Sequence, residues 1–257
     1  MYFLRKIALL FIVYYSFIDI LNSQRQESSL QTQAPVENNF IVSGAVTVTT
    51  KGISLFPNLS LGKPAAIFDL SVGKQRFAFE PQIRFGLDGK PWSFIFWFRY
   101  KMIKADKFTF NIGTHPSFVF GTRALTNSSG ITQNYITTAR YWATEFVPNY
   151  AINKNISMGL YYLYAKGLDP LSTKTSNFIS FTSSFKNIHL LDDYYFRIAP
   201  QLFYLQLDSK HGYYFSETAT LSKKNFPFSI SSVYTKILQS TIVSQDNLYN
   251  VSLIYNF

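Results

Sequence analysis

The run His115-Pro116-Ser117 sets an imidazole and a hydroxyl two residues apart. On an extended chain that spacing turns both side chains to one side of the sheet. An imidazole can take the proton of a neighbouring hydroxyl and make it a nucleophile, provided a third group orients the ring. Asn134, on the following segment, is the candidate for that third role. A second set of residues carries charge and amide groups. Asp69, Glu80, Gln82, Arg84, Arg99, Lys101, Arg197 and Gln201 interrupt apolar stretches at alternate positions. One reading makes them a paired, hydrogen-bonded filling of an enclosed space; the other makes them a basic constriction that passes small anions. Arg123, Lys166, Lys174 and Lys210 are expected in connecting loops, where they attract phosphate groups or simply keep the loops soluble. His189 and His211 are expected in loops as solvated side chains. With no cysteine and no cluster of ligand types, neither a metal site nor a cofactor is expected.

Extended segments must position these groups, because the apolar residues recur with period two. In residues 76–87, Phe77, Phe79, Pro81, Ile83, Phe85 and Leu87 share one side, and Arg76, Ala78, Glu80, Gln82, Arg84 and Gly86 the other. In residues 91–102 the side formed by Trp92, Phe94, Phe96, Phe98, Tyr100 and Met102 is expected to be unbroken. Twelve such segments span 41–50, 64–73, 75–87, 91–103, 107–120, 132–147, 154–167, 175–187, 193–207, 212–222, 226–240 and 247–257, separated by turn residues. Residues 52–62 could extend either neighbour. Pro81, Pro116, Pro200 and Pro227 fall inside these segments and each must remove a ladder hydrogen bond.

Composition says which phase the apolar side meets. Charged residues are only 15% and aromatics reach 18%, yet mean hydropathy is +0.03, too low for a bundle of membrane helices. Apolar sides on almost every segment are hard to hide inside a soluble sandwich or lipocalin-like barrel. Closing the sheet with those sides outward, into lipid, hides them and leaves no open edge. The expected fold is therefore all-β: a closed antiparallel transmembrane β-barrel of about 12 strands, with ten or fourteen compatible with the turn pattern. Most loop lengths agree, long near 121–132, 166–176 and 238–247 and short near 73–75, 104–107 and 223–225, while 88–90 is short for an outside loop and 186–193 long for a periplasmic one.

Residues 1–23, with Arg5 and Lys6 before an apolar run at 7–21, read as an export signal peptide. Residues 24–39 are polar and Gln-rich and read as a disordered periplasmic leader, and the barrel occupies 40–257. The net charge of +10 is scattered along the chain rather than clustered, which argues against nucleic acid as a partner.

The last segment, Tyr249, Val251, Leu253, Tyr255 and Phe257 alternating with smaller residues, resembles the C-terminal signature of Gram-negative outer-membrane β-barrel proteins. That resemblance implies location in the outer membrane, contact with its lipids and lipopolysaccharide, and recognition of those five residues by the barrel-assembly machinery. The block 62–101 is similar to outer-membrane proteins of Bacteroidota. The His-x-Ser pair resembles that of outer-membrane phospholipase and lipid A deacylase barrels, which implies a lipid hydrolase using Ser117 and His115. Phe108, Phe110 and Ile112 set His115 on the opposite, lumenal side, however, away from lipid. The expected function is a narrow pore, or a structural or partner-binding barrel, that is not an enzyme, with the hydrolase as the alternative.

Overall fold

A computed structural model describes residues 39–126, 130–170, 172–191 and 193–257. The expected signal peptide and nearly all of the expected leader lie outside these residues. Alternation produces the expected twelve strands. They are β1 (Ile41–Thr49), β2 (Ala65–Lys74), β3 (Phe77–Gly86), β4 (Pro91–Lys104), β5 (Phe108–Thr126) and β6 (Thr132–Ala151), followed by β7 (Ile156–Gly167), β8 (Thr175–Leu191), β9 (Tyr194–Leu207), β10 (Lys210–Lys223), β11 (Phe228–Ser240) and β12 (Asn247–Asn256). Each strand pairs antiparallel with its neighbours in sequence, and β1 pairs with β12 to close the barrel. Closure satisfies every edge, which an open sheet in lipid could not do.

The period-two pattern fixes the two surfaces. On β3, Glu80, Gln82 and Arg84 are buried inside while Phe77 on the other side is exposed. The outward rings meet across neighbouring strands in an aromatic belt: Phe85 lies 5.5 Å from Phe94, which lies 4.9 Å from Phe120, and Phe79 lies 5.0 Å from Phe98. Ring pairs of this kind are the cross-strand contacts that hold register on a two-sided sheet.

Trp92 departs from the expected aromatic side. Between Arg84↔Ser93 and Phe85↔Pro91 the β3–β4 register shifts by one residue, and the extra residue is Trp92. The bulge reverses its direction, so it points inward and is only 7% exposed. The aromatic belt of β4 therefore begins at Phe94.

The prolines act as breaks in single ladders without moving the register. Pro81 sits in a gap between the pairs Asp69↔Gln82 and Val72↔Phe79, Pro116 between Ile95↔Ser117 and Phe98↔Thr114, and Pro200 between Thr182↔Gln201 and Phe185↔Ile198. Each proline faces the broken ladder with the position that lacks an N–H. Pro227, expected inside a strand, instead precedes β11.

The interior is divided along the barrel axis. Toward the end opposite the termini an apolar cluster fills the lumen, including Leu163, Phe178, Phe203, Leu205 and Tyr214. The connection 50–64 folds down onto it, placing Leu55, Phe56 and Leu59 against the cluster. Residues 52–62 are thus neither an extension of β1 nor of β2. The ionic groups lie next to this apolar cluster, along β2 to β6.

Candidate functional site in the barrel lumen

Three inward side chains from three strands make the central ionic group. Arg99 on β4 donates from Nε to Glu145 Oε1 at 2.7 Å and from Nη1 to Glu80 Oε2 on β3. Glu145 is fully buried and Arg99 only 14% exposed at its side chain. The register explains how they meet: Gly113 on β5 pairs with both Arg99 and Glu145. A Cβ at Gly113 would lie 2.6 Å from Glu145 Oε1, so the missing side chain is the space through which the carboxylate reaches Arg99. The Arg99 guanidinium also lies over Trp97, 4.2 Å from its ring centre. One cation thus stands between two carboxylates. Removing one partner of such a buried pair typically costs about 3–5 kcal/mol, because the other charge is left without compensation.

A second chain of contacts runs beside the first. Gln82 Nε2 donates to Asp69 Oδ1 at 2.5 Å, and Arg84 donates to Gln82 Oε1. The Arg84 guanidinium faces the Trp92 ring at 5.1 Å, so the bulge that turns Trp92 inward supplies a cation–π partner. Ser71 on β2 donates to Glu80 Oε1 at 3.1 Å. Of the remaining expected lumen residues, Lys101 stands opposite Asn111, and Arg197 donates to Ser184 Oγ at 3.1 Å. Gln201 is buried between Thr182 and Ser216 in the register.

Sequence reasoning did not single out Glu145, the carboxylate that completes the group. Its signal was the alternation Tyr141, Ala143, Glu145, Val147, which places one acid among inward apolar residues. It also missed the far wall. On β8, β10, β11 and β12 the inward positions include Ser180, Thr182, Ser184, Ser216, Ser231, Thr235, Asn250 and Ser252, all buried and none charged. Several bond to one another, as Ser216 with Thr235 at 2.9 Å and Asn250 to Ser252 at 3.1 Å. Among the described residues, the hydroxyls of Ser180 and Thr182 have no partner.

His115 and Ser117 both point inward and are buried, and no hydrogen bond joins them. The His115 ring instead meets Trp97 edge-on, with centres 4.0 Å apart, and neither ring nitrogen has a side-chain partner. Asn134 does not reach them. The β5–β6 register sets Asn134 opposite Ala124, while His115 faces Ala143, nine residues along the same strand. At about 3.4 Å per residue that separation is roughly 30 Å. No base–orienter pair is assembled.

The basic residues expected in loops divide differently. Arg123, Lys166 and Lys210 belong to β5, β7 and β10, and only Lys174 lies in a connection, where its Nζ donates to the Asp169 carbonyl at 2.5 Å. His189 and His211 likewise belong to β8 and β10 rather than to loops, with the His189 ring against Tyr195 at 4.6 Å. Among the described residues no group of three His, Cys, Asp or Glu side chains is placed to hold a metal ion. Tyr249, Val251, Leu253, Tyr255 and Phe257 all face outward and are exposed on the barrel's outer surface.

No family model and no curated protein matches the chain. Solved structures do. The KdgM porin in complex with disordered oligogalacturonate aligns with a TM-score of 0.51 at 13% identity, covering 84% of this chain and 99% of that one. An outer-membrane channel from Pseudomonas putida F1 aligns with a TM-score of 0.49 at 10% identity over 84% of this chain and 94% of its own. LpxR from Salmonella typhimurium gives 0.47 at 10% identity over 84% and 99%. The likeness to the KdgM porin is one of fold. The chain is a closed twelve-stranded antiparallel β-barrel, similar in fold to that porin.

Proposed function

We propose that the protein is a narrow outer-membrane passage for small polar solutes, constricted by the Arg99 group, and that it catalyses no reaction. The observation that carries this reading is the polar lining of the lumen away from the apolar cluster: Ser180, Thr182, Ser184, Ser216, Ser231, Thr235 and Asn250 all turn inward, and none is charged. An interior that served only as a packed core would be apolar there too, as it is around Phe178 and Phe203. The charges are paired, since Glu80 and Glu145 both hold Arg99; that group keeps one negative charge in excess, which argues against a constriction selective for anions.

Location in the outer membrane follows in this reading from the aromatic belt and the porin-like fold. The outward residues of β12 then serve the barrel-assembly machinery, and lipid and lipopolysaccharide surround the belt. A Bacteroidota source for the block 62–101 belongs to the same proposal. Planar-bilayer recording tests it. The wild-type chain should give small, infrequent current steps, and the combined Glu80→Ala, Arg99→Ala and Glu145→Ala variant larger ones. Correct insertion of both without any current defeats the passage.

A further inference from the structure

The connection 50–64 is not needed to close the barrel, since β1 and β2 pair without a gap from Ile41↔Gly73 to Thr49↔Ala65. It nevertheless forms a structure of its own. Between Gly52 and Gly62 it is a small hairpin: Ile53 bridges Ser60, Ser54 N donates to Leu59 O at 2.8 Å, and Leu61 N donates to Gly52 O at 2.8 Å. The Phe56 amide donates to Ser54 Oγ at 3.0 Å and tightens the tip. Among the described residues, every hydrogen bond from 53–61 stays within the hairpin, and none reaches the barrel wall.

Its base, by contrast, is fixed on both sides. Thr49 Oγ1, Thr50 Oγ1 and Lys51 N all donate to Asn250 Oδ1, at 2.6, 3.1 and 2.9 Å. On the other side Leu87 N donates to Pro64 O at 2.9 Å, and Lys63 pairs with Asp88 at 2.5 Å. Immediately inside these anchors stand Gly52 (φ 58°) and Gly62 (φ 74°), in the left-handed region that glycine adopts without penalty. A rigid flap thus sits between two permissive backbone positions.

Only apolar contact seats the flap. The Phe56 ring lies 5.3 Å from Phe178, which lies 5.3 Å from Phe203, which stacks on Tyr214 at 4.7 Å. At the tip, Asn58 is 3% exposed and neither of its amide atoms has a partner. A permanent part of the core would be stitched to the wall and would not carry an orphaned amide inward.

We infer that hairpin 52–62 is a displaceable lid, and that the aromatic cup beneath it binds a small apolar ligand bearing an aromatic group in the place of Phe56. The cup supplies ring faces from Phe178, Phe203 and Tyr214, and the Tyr214 hydroxyl, 2.7 Å from Ser240 Oγ, offers one polar handle at the wall. Ligand binding in the cup is independent of the passage, because the cup can fill whether or not the barrel conducts.

The test uses the hairpin as its own probe. In one variant residues 53–61 are replaced by a short glycine linker; Phe56→Ala in the full-length chain is the second, in case the first does not fold. A fluorescein-labelled peptide of residues 53–61 is titrated by fluorescence anisotropy in one detergent throughout. It should bind both variants at least about tenfold more tightly than the wild type, whose cup is occupied. The same peptide carrying Phe56→Ala should lose that advantage, and indole should displace the native peptide. Equal binding of the two peptides, equal binding to wild type and variants, or no displacement by indole overturns the inference. A variant that binds the peptide but carries no current supports the lid and cup while removing the passage.

Discussion

Arg99 and Glu145, from β4 and β6, meet across the strand between them, and Gly113 of β5 is the residue whose absent side chain lets them do so. The contact is geometric before it is electrostatic. Gly113→Ala puts a methyl group 2.6 Å from Glu145 Oε1, so the carboxylate must withdraw from Arg99. We predict a loss approaching the roughly 3–5 kcal/mol of a broken buried pair. Thermal or urea unfolding in detergent measures it. Gly113→Ala and Glu145→Gln should be strongly non-additive in the double variant, since both remove one interaction. Additive losses would detach Gly113 from the pair.

The seam of the barrel depends on a second glycine. Gly44 and Phe257 exchange backbone hydrogen bonds at 2.9 and 3.0 Å, and a Cβ at Gly44 would lie 2.5 Å from the Phe257 ring and 2.9 Å from the Asp69 carbonyl. Gly44→Val should lower stability by about 1–3 kcal/mol, as overpacking does. Phe257→Ala should restore only part of it, because the Asp69 carbonyl remains in the way. The midpoint of heat-induced mobility change on gels reads both effects.

At the end of the barrel opposite the termini, Arg140 on β6 forks onto Asp169, with Nη2 to Oδ1 at 2.7 Å and its backbone N to Oδ2 at 2.6 Å. The hydrogen bond from the Arg140 guanidinium holds the Asp169 carboxyl below its ordinary range. A depressed folded value means the tie is complete above the unfolded value near pH ~4 and is lost as pH falls through the folded one. Amide exchange in residues 168–170 and 172–174 should therefore be slow at pH 7 and become fast, relative to intrinsic rates, only once the pH falls below the ordinary carboxylate range. Asp169→Asn should show the fast behaviour already at pH 7. Slow exchange in that variant would remove the tie from the account.

The strands were legible because alternation is a local property, and it survives wherever one side meets lipid and the other does not. What the sequence concealed is non-local. Trp92 obeys the alternation on paper, but one extra residue in β4 reverses it, and bulges leave no reliable local mark. Asn134 follows His115 by one strand, yet the β5–β6 pairing continues to Thr126↔Thr132 and carries Asn134 far along it. Glu145 stands among apolar inward neighbours in the sequence, and only the pairing of β4 and β6 with β5 sets Arg99 beside it. The alternating residues of 52–62 read as strand because a hairpin that turns inward has the same period as one that continues the wall.

His115 and Ser117 lack a hydrogen bond to each other and a third group to orient the ring. We predict that Ser117→Ala leaves ester hydrolysis of phospholipid or lipid A substrates unchanged, at background. We also expect His115→Leu to keep or raise thermal stability, since it removes two nitrogens without side-chain partners from beside Trp97. Turnover that disappears with Ser117 would revive the hydrolase reading.

The central claim is that β4 separates lipid from lumen, with Phe96 and Phe98 on one side and Trp97 and Arg99 on the other. The chain contains no cysteine, so single cysteines at 96, 97, 98 and 99 are each unique. Labelled with an environment-sensitive fluorophore in liposomes, positions 96 and 98 should be quenched by lipid-borne quenchers, and positions 97 and 99 should not. The reverse pattern, or no lipid quenching at any of the four, would contradict the membrane barrel and everything built on it.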